Sequence, residues 1–217
     1  MPQGYVFVVT YGRSGSTLLQ KILNSIDGYK ILGENNNALM DLFKACEDLR
    51  KTREMWPKND APLPWLGAGE INVDWFTRDV VNAFIKHVLR PDPTTRIAGF
   101  KEIRFPTGTD AEMLDYIRFV EKSFPNTKTI FNIRKAADVA RSSWWQEAET
   151  NRVLEMVGRM DAFFRRTAAY QPKFRYVVDY DAYVQDPTQL EGLFEFLGET
   201  MDQEKIKEIL GVRLDHK

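Results

Sequence analysis

The chain's clearest chemistry-bearing stretch is Tyr11-Gly12-Arg13-Ser14-Gly15-Ser16-Thr17, which gathers two glycines, three aliphatic hydroxyls and a guanidinium into seven residues. This mixture suits an anion. Gly12 and Gly15 let the backbone turn tightly and approach an oxyanion. Ser14, Ser16 and Thr17 add hydroxyl donors, and Arg13 adds a cation. If a helix starts at Ser16, its free N–H groups and its dipole favour negative charge at the same place. The nucleotide-triphosphate loop has the pattern G-x-x-x-x-G-K-[ST]. With its second glycine placed on Gly15, Ser16 stands where that loop has lysine, and Thr10 where it has the first glycine. The cation sits on Arg13 instead, which weakens a kinase or ATPase reading. A serine-rich turn without a ligand is the alternative that these seven residues leave open.

The loop needs a strand before it and a helix after it. Residues 5–10 are a continuous apolar run rich in β-branched and aromatic types, which predicts a buried strand. Residues 16–26 carry apolar side chains at Leu18, Leu19, Ile22, Leu23 and Ile26, a helical spacing. Further strands are predicted over 29–32, 96–101, 127–133 and 174–178. Helices are predicted over 74–89, 110–122 with Asp110 as N-cap, 136–147, 151–170, 187–197 and 203–210. Residues 56–67 read as a long internal loop, and nothing specific is assigned over 35–55. Strands alternating with helices predict an α/β fold: a mostly parallel central sheet flanked by helices in three layers, formed by residues 1–217 as one domain. Ligands of such sheets bind beyond the carboxyl ends of the strands, where the loop falls.

Composition bounds the partners. The chain of 217 residues is 43% hydrophobic and 28% charged, ordinary values for a soluble globular domain. Its formal net charge of −1 gives no global reason for a nucleic-acid or membrane-surface partner, so an anion site must be local. A single cysteine, Cys46, excludes a disulfide within the chain and fits a reducing compartment. The N-terminal residues lack the pattern of a secretory signal, and no apolar run is long enough to span a bilayer. A cytoplasmic protein without a membrane span is the expectation. The sequence sets no oligomeric state.

Residues 10–19, Thr-Tyr-Gly-Arg-Ser-Gly-Ser-Thr-Leu-Leu, resemble the 5′-phosphosulfate loop of the sulfotransferases that use 3′-phosphoadenosine-5′-phosphosulfate. Residues 131–142 resemble that family's 3′-phosphate segment, a strand ending in Arg followed by a helix with Ser eight positions on; Arg134 and Ser142 match. A strand-end arginine can fork onto two phosphate oxygens, and a serine roughly two helical turns later can reach the same group. Tyr180-Asp181-Ala182-Tyr183, then Asp186-Pro187 and Phe196-Leu197-Gly198, resemble the family's C-terminal pattern, in which a strand leads through a Tyr-Asp/Glu turn into a final helix. The resemblance covers nearly the whole chain except residues 35–95. It implies a P-loop-like three-layer α/β/α fold and a donor held by Gly12, Arg13, Ser14, Gly15, Ser16, Thr17, Arg134 and Ser142.

The resemblance also implies the chemistry. Sulfuryl transfer is an in-line displacement dominated by positioning and charge stabilisation, as phosphoryl transfer is. The transferred group carries less charge, so a cation such as Arg13 can neutralise the leaving oxygen and no metal is required. Glu34 follows Gly33 after the second predicted strand, where carbohydrate and protein-tyrosine sulfotransferases place a Gly-Glu whose carboxylate is the base. A solvated loop carboxylate is the alternative. Lys101, in Gly99-Phe100-Lys101-Glu102-Ile103-Arg104, matches a family lysine near the sulfuryl group, with Glu102 or Arg104 orienting it or the acceptor. A salt-bridged strand end is the competing reading. The histidines, His87 and His216, are expected in structural or surface roles. Trp56, Trp65, Trp75, Trp144 and Trp145 suit an acceptor pocket or the core. The acceptor expected is a hydroxyl, of a carbohydrate or glycolipid rather than a small phenol. A degenerate kinase and a non-catalytic nucleotide-binding module are the rival functions.

Overall fold

The structure, a computed structural model, describes residues 2–57, 62–105, 108–142, 145 and 148–211. Within them, β1 (Gly4–Val9), β2 (Tyr29–Leu32), β3 (Ile97–Glu102), β4 (Thr127–Ile133) and β5 (Arg175–Asp179) form one sheet in the order β2-β3-β1-β4-β5. Every neighbouring pair is parallel. From β1 the chain builds outward to β2 and returns through β3, then crosses β1 to β4 and β5. The direction of winding reverses beside β1, so the crevice for a ligand lies at its carboxyl end.

The sheet is covered on both faces because its strands alternate. In β1, Tyr5, Phe7 and Val9 point into the larger core with α2 (Ala38–Met55), α3 (Val73–Phe84), α4 (Asp110–Ser123) and α6 (Thr150–Tyr170). Val6 and Val8 point the other way, against α1 (Ser16–Leu23), α8 (Glu191–Leu197) and α9 (Gln203–Gly211). The layers are therefore helix, sheet, helix, as predicted. Two short helices, α5 (Ala136–Ala140) and α7 (Tyr180–Gln185), follow β4 and β5. Among the described residues no helix is long and apolar enough to cross a membrane.

Several predicted elements change in detail. The helix over 74–89 is α3 followed by a π turn over Ile85–Leu89, ended by Arg90 at φ 47° just before Pro91. The N-cap of α4 is Thr109, not Asp110. Thr109 Oγ1 accepts from the Glu112 N–H while the Glu112 carboxylate accepts from the Thr109 N–H, a reciprocal cap that Asp110 is one residue too late to form. The helix over 136–147 stops at Ala140, and residues 143, 144, 146 and 147 lie outside the described part. The stretch 187–197 is a 3₁₀ turn, Pro187–Leu190, leading into α8. Helix α2 fills a segment to which the sequence reading assigned nothing.

Candidate active site

The loop between β1 and α1 is held from three sides. Thr10 is buried, and its hydroxyl donates to the carbonyl of Asn132 in β4. Asn132 Nδ2 donates to the Ser14 carbonyl at 2.7 Å. The ring of Tyr11 is fully buried, and its hydroxyl donates to Asp161 Oδ1 in α6 at 2.9 Å while accepting from the Arg134 N–H at 2.9 Å. Trp145 Nε1 donates to the Gly12 carbonyl at 3.2 Å. Two residues take left-handed backbone to make the turn, Arg13 at φ 67° and Gly15 at φ 82°. Glycine is required at 15 for a second reason: a Cβ there would overlap the ring of Tyr180. Ser16 then opens α1 with no side chain capping its first N–H groups.

Three side chains separated widely in sequence converge on this turn. Arg134, at the end of β4, donates from Nη1 to the Arg13 carbonyl at 3.0 Å, and its guanidinium lies over the Tyr180 ring at 4.6 Å. Arg13 Nε donates to Ser142 Oγ at 3.3 Å. Ser142 is not two turns inside a helix, as its spacing suggested. It sits just past α5, where its N–H donates to the Val139 carbonyl. The short helix still delivers it to Arg13. Two buried polar atoms here have no protein partner, Ser14 Oγ and Arg134 Nε. Buried polar groups are normally satisfied, so orphan donors beside a glycine turn and a helix N-terminus fit an anion that the protein supplies no substitute for.

A second constellation stands at the adjacent strand ends. Lys101 pairs with Val8 in register and so lies on the α1 face of the sheet, 7% exposed. Its Nζ donates to Glu34 Oε1, and Arg104 Nη1 donates to Glu34 Oε2 at 3.0 Å. Glu34 keeps 28% of its side chain exposed. Glu102 meets this group only through a long ion pair with Arg104 Nη1, at 3.9 Å. Successive strand residues face opposite ways, and its buried carboxylate accepts backbone N–H groups from Asn35, Asn37, Ile103 and Arg104. It therefore secures the turn after β2 rather than orienting Lys101.

His87 is exposed, as expected, yet lines the same cleft as Glu34. His216 and Trp144 lie outside the described residues. Trp56 stacks on Trp65, while Trp75 is 59% exposed under Arg78, so these three do not border Glu34. Sequence reasoning assigned no role to Asn132 or Asp161 and named Tyr180 only as part of the C-terminal turn. Asn132 carried a signal, a polar residue inside an otherwise buried strand. Burial, reinforced by nearby Asp179, pushes the Asp161 carboxyl up to about 6, against the pull of the Tyr11 hydrogen bond and Arg165. Burial, then Asp161, holds the Tyr11 hydroxyl protonated far above the usual phenol range.

The sequence matches the model of the sulfotransferase family over residues 5–203. The chain belongs to that family. The solved structure of sulfotransferase STF9 from Mycobacterium avium superposes on this sulfotransferase with a TM-score of 0.52 at 12% identity, covering 96% of this chain and 67% of that one. At that identity the likeness speaks for the fold. No curated protein matches the chain in sequence. Family membership makes the protein a transferase of sulfuryl groups, and both constellations lie at the carboxyl end of the sheet, where the fold places ligands.

Proposed function

We propose that this sulfotransferase moves a sulfuryl group from 3′-phosphoadenosine-5′-phosphosulfate to a hydroxyl of a carbohydrate or glycolipid. The observation that carries the reading is the convergence of Arg13, Arg134 and Ser142 on the loop whose Ser14 Oγ and Arg134 Nε are buried without partners. A single phosphate needs one cradle. Here a second cationic group from β4 stands beside the first, as a donor with separate 5′ and 3′ phosphates requires.

The residues that would hold the donor are Gly12, Arg13, Ser14, Gly15, Ser16 and Thr17 at the 5′ side, with Arg134 and Ser142 at the 3′ side. Bound there, the donor supplies the sulfuryl group and a phosphate leaving group. Arg13, tethered to Ser142 through Nε, carries the charge that grows on the leaving oxygen. Lys101 steadies the sulfuryl oxygens. Glu34 takes the acceptor's hydroxyl proton as the new sulfur–oxygen bond forms and the bond to phosphate breaks. Lys101 and Arg104 hold the Glu34 carboxylate in one orientation beforehand, so little reorganisation is left for the reacting state.

Calorimetry with adenosine 3′,5′-bisphosphate and with ATP–magnesium separates this reading from a degenerate kinase: the bisphosphate is expected to bind and ATP to bind far more weakly. Transfer of labelled sulfate to a panel of glycans then tests catalysis. Binding of the bisphosphate with no transfer to any hydroxyl acceptor would leave a nucleotide-binding module and sink the enzymatic reading.

A further inference from the structure

Beside Glu34 the surface opens into a cleft of about 420 Å³ between the end of β2 and the π turn at Ile85–Leu89. That size lies within the range of small-ligand sites. Its floor is apolar, from Leu32, Leu89 and Phe100, and its polar lining includes Glu34, His87 and Arg90. π turns recur at functional sites, and here the turn that closes α3 presents His87, with Arg90 just past it, to the cleft that holds the proposed base.

The charges in this cleft do not balance. Its carboxylate, Glu34, is already paired with Lys101 and Arg104. The acidic residue nearest Arg90 in sequence, Asp92, is engaged by Lys30 and Thr94, and Lys30 Nζ also donates to the Arg90 carbonyl, clamping the turn. The Arg90 guanidinium is exposed and has no carboxylate partner among the described residues. The cleft thus joins an apolar floor, a hydroxyl-activating carboxylate and an open cation.

We propose that this cleft is the acceptor subsite and that Arg90, with His87 beside it, selects an acceptor carrying an anionic group, such as a uronic-acid carboxylate, next to the hydroxyl that is sulfated. This rests on the reading of Glu34 as the base and names the acceptor's chemical class. The apolar floor receives the face of the sugar ring while the anion is held at the mouth.

Two matched oligosaccharides of equal length test it, one of neutral hexoses and one containing hexuronate, titrated by calorimetry at low salt with and without adenosine 3′,5′-bisphosphate. The uronate compound is expected to bind about five- to tenfold more tightly, the range of a charge-assisted contact at an exposed site. Arg90→Asn suits the left-handed backbone at this position and removes the charge, so it is expected to erase that preference, and Arg90→Glu to reverse it. Retained bisphosphate binding shows that both variants fold. Equal binding of the two compounds, a preference that survives Arg90→Asn, or no binding of either would overturn the proposal. Failure of the bisphosphate to bind the parent protein instead counts against the donor reading, and the oligosaccharide titration still decides the cleft.

Discussion

Glu34 and Gly15 show how differently single residues can matter at this site. Glu34 is held by Lys101 on Oε1 and by Arg104 on Oε2, and an amide in its place keeps one of the two through its single oxygen. Glu34→Gln keeps the volume and one of these two hydrogen bonds but cannot take a proton. Turnover is expected to fall by roughly 10²–10⁴-fold while calorimetry finds bisphosphate binding little changed. Near-normal turnover would remove Glu34 from the role of base. Gly15 acts through space and backbone. Its φ of 82° is strained for any side chain, and the ring of Tyr180 fills the position a Cβ needs. Gly15→Ala must displace Tyr180, and with it the ring under Arg134. The variant is expected to lose about 1–3 kcal/mol of stability and most of its bisphosphate affinity. A thermal melt and a titration check the two losses separately, and an unchanged affinity would show that the Tyr180 ring does not position Arg134.

Among the elements, β2 and β4 have the limits that sequence patterning gave, because a short β-rich segment between turn residues leaves little choice of ends. Helix α2 was not legible. Only Leu39, Met40, Phe43 and Cys46 of its 18 residues are buried, and its other faces are crowded with charge. The type of Ser142 was legible and its setting was not, since the end of α5 depends on contacts the local pattern does not hold. The opposite orientations of Lys101 and Glu102 were implicit in strand alternation and overlooked. Arg175 shows what only the folded chain reveals. At the start of the edge strand β5 it is 3% exposed, with Nε and Nη2 on the Glu121 carboxylate of α4 at 2.7 and 2.8 Å and Nη1 on the Thr167 carbonyl of α6. Glu121→Ala strands a buried guanidinium and is expected to cost about 3–5 kcal/mol. An apolar pair, Glu121→Leu with Arg175→Met, is expected to recover most of that loss in urea unfolding. If the double variant is no more stable than Glu121→Ala, the pair does more than satisfy its own charges.

Across the whole molecule, the loop, the sheet and the larger helical layer meet at one hydrogen-bonded chain: Asp161 of α6, the Tyr11 hydroxyl, and the Arg134 N–H at the end of β4. An ionised carboxylate only accepts, so it directs the Tyr11 proton toward itself and leaves the phenol oxygen to accept from Arg134. That fixes the backbone from which the Arg134 side chain reaches the loop. The arrangement is costly, because burial raises the Asp161 pKa from an ordinary carboxylate value to about 6. The folded protein therefore holds this proton more tightly than the unfolded chain. The resulting stability is fully present below the unfolded pKa near 4 and is lost as pH rises through about 6. Partial exposure of Asp161 screens the effect to the order of 1–2 kcal/mol. Asp161→Asn lacks this proton linkage. Its melting temperature relative to the parent is expected to climb between pH 4 and pH 7 by several degrees and then level off. The amide can also turn its NH₂ toward Tyr11, so the same variant is expected to bind adenosine 3′,5′-bisphosphate more weakly at pH 7.5 despite its greater stability. A melting-temperature difference that is flat across this range would show that Asp161 is ionised at no cost, and unchanged bisphosphate affinity would uncouple the α6 layer from the anion site.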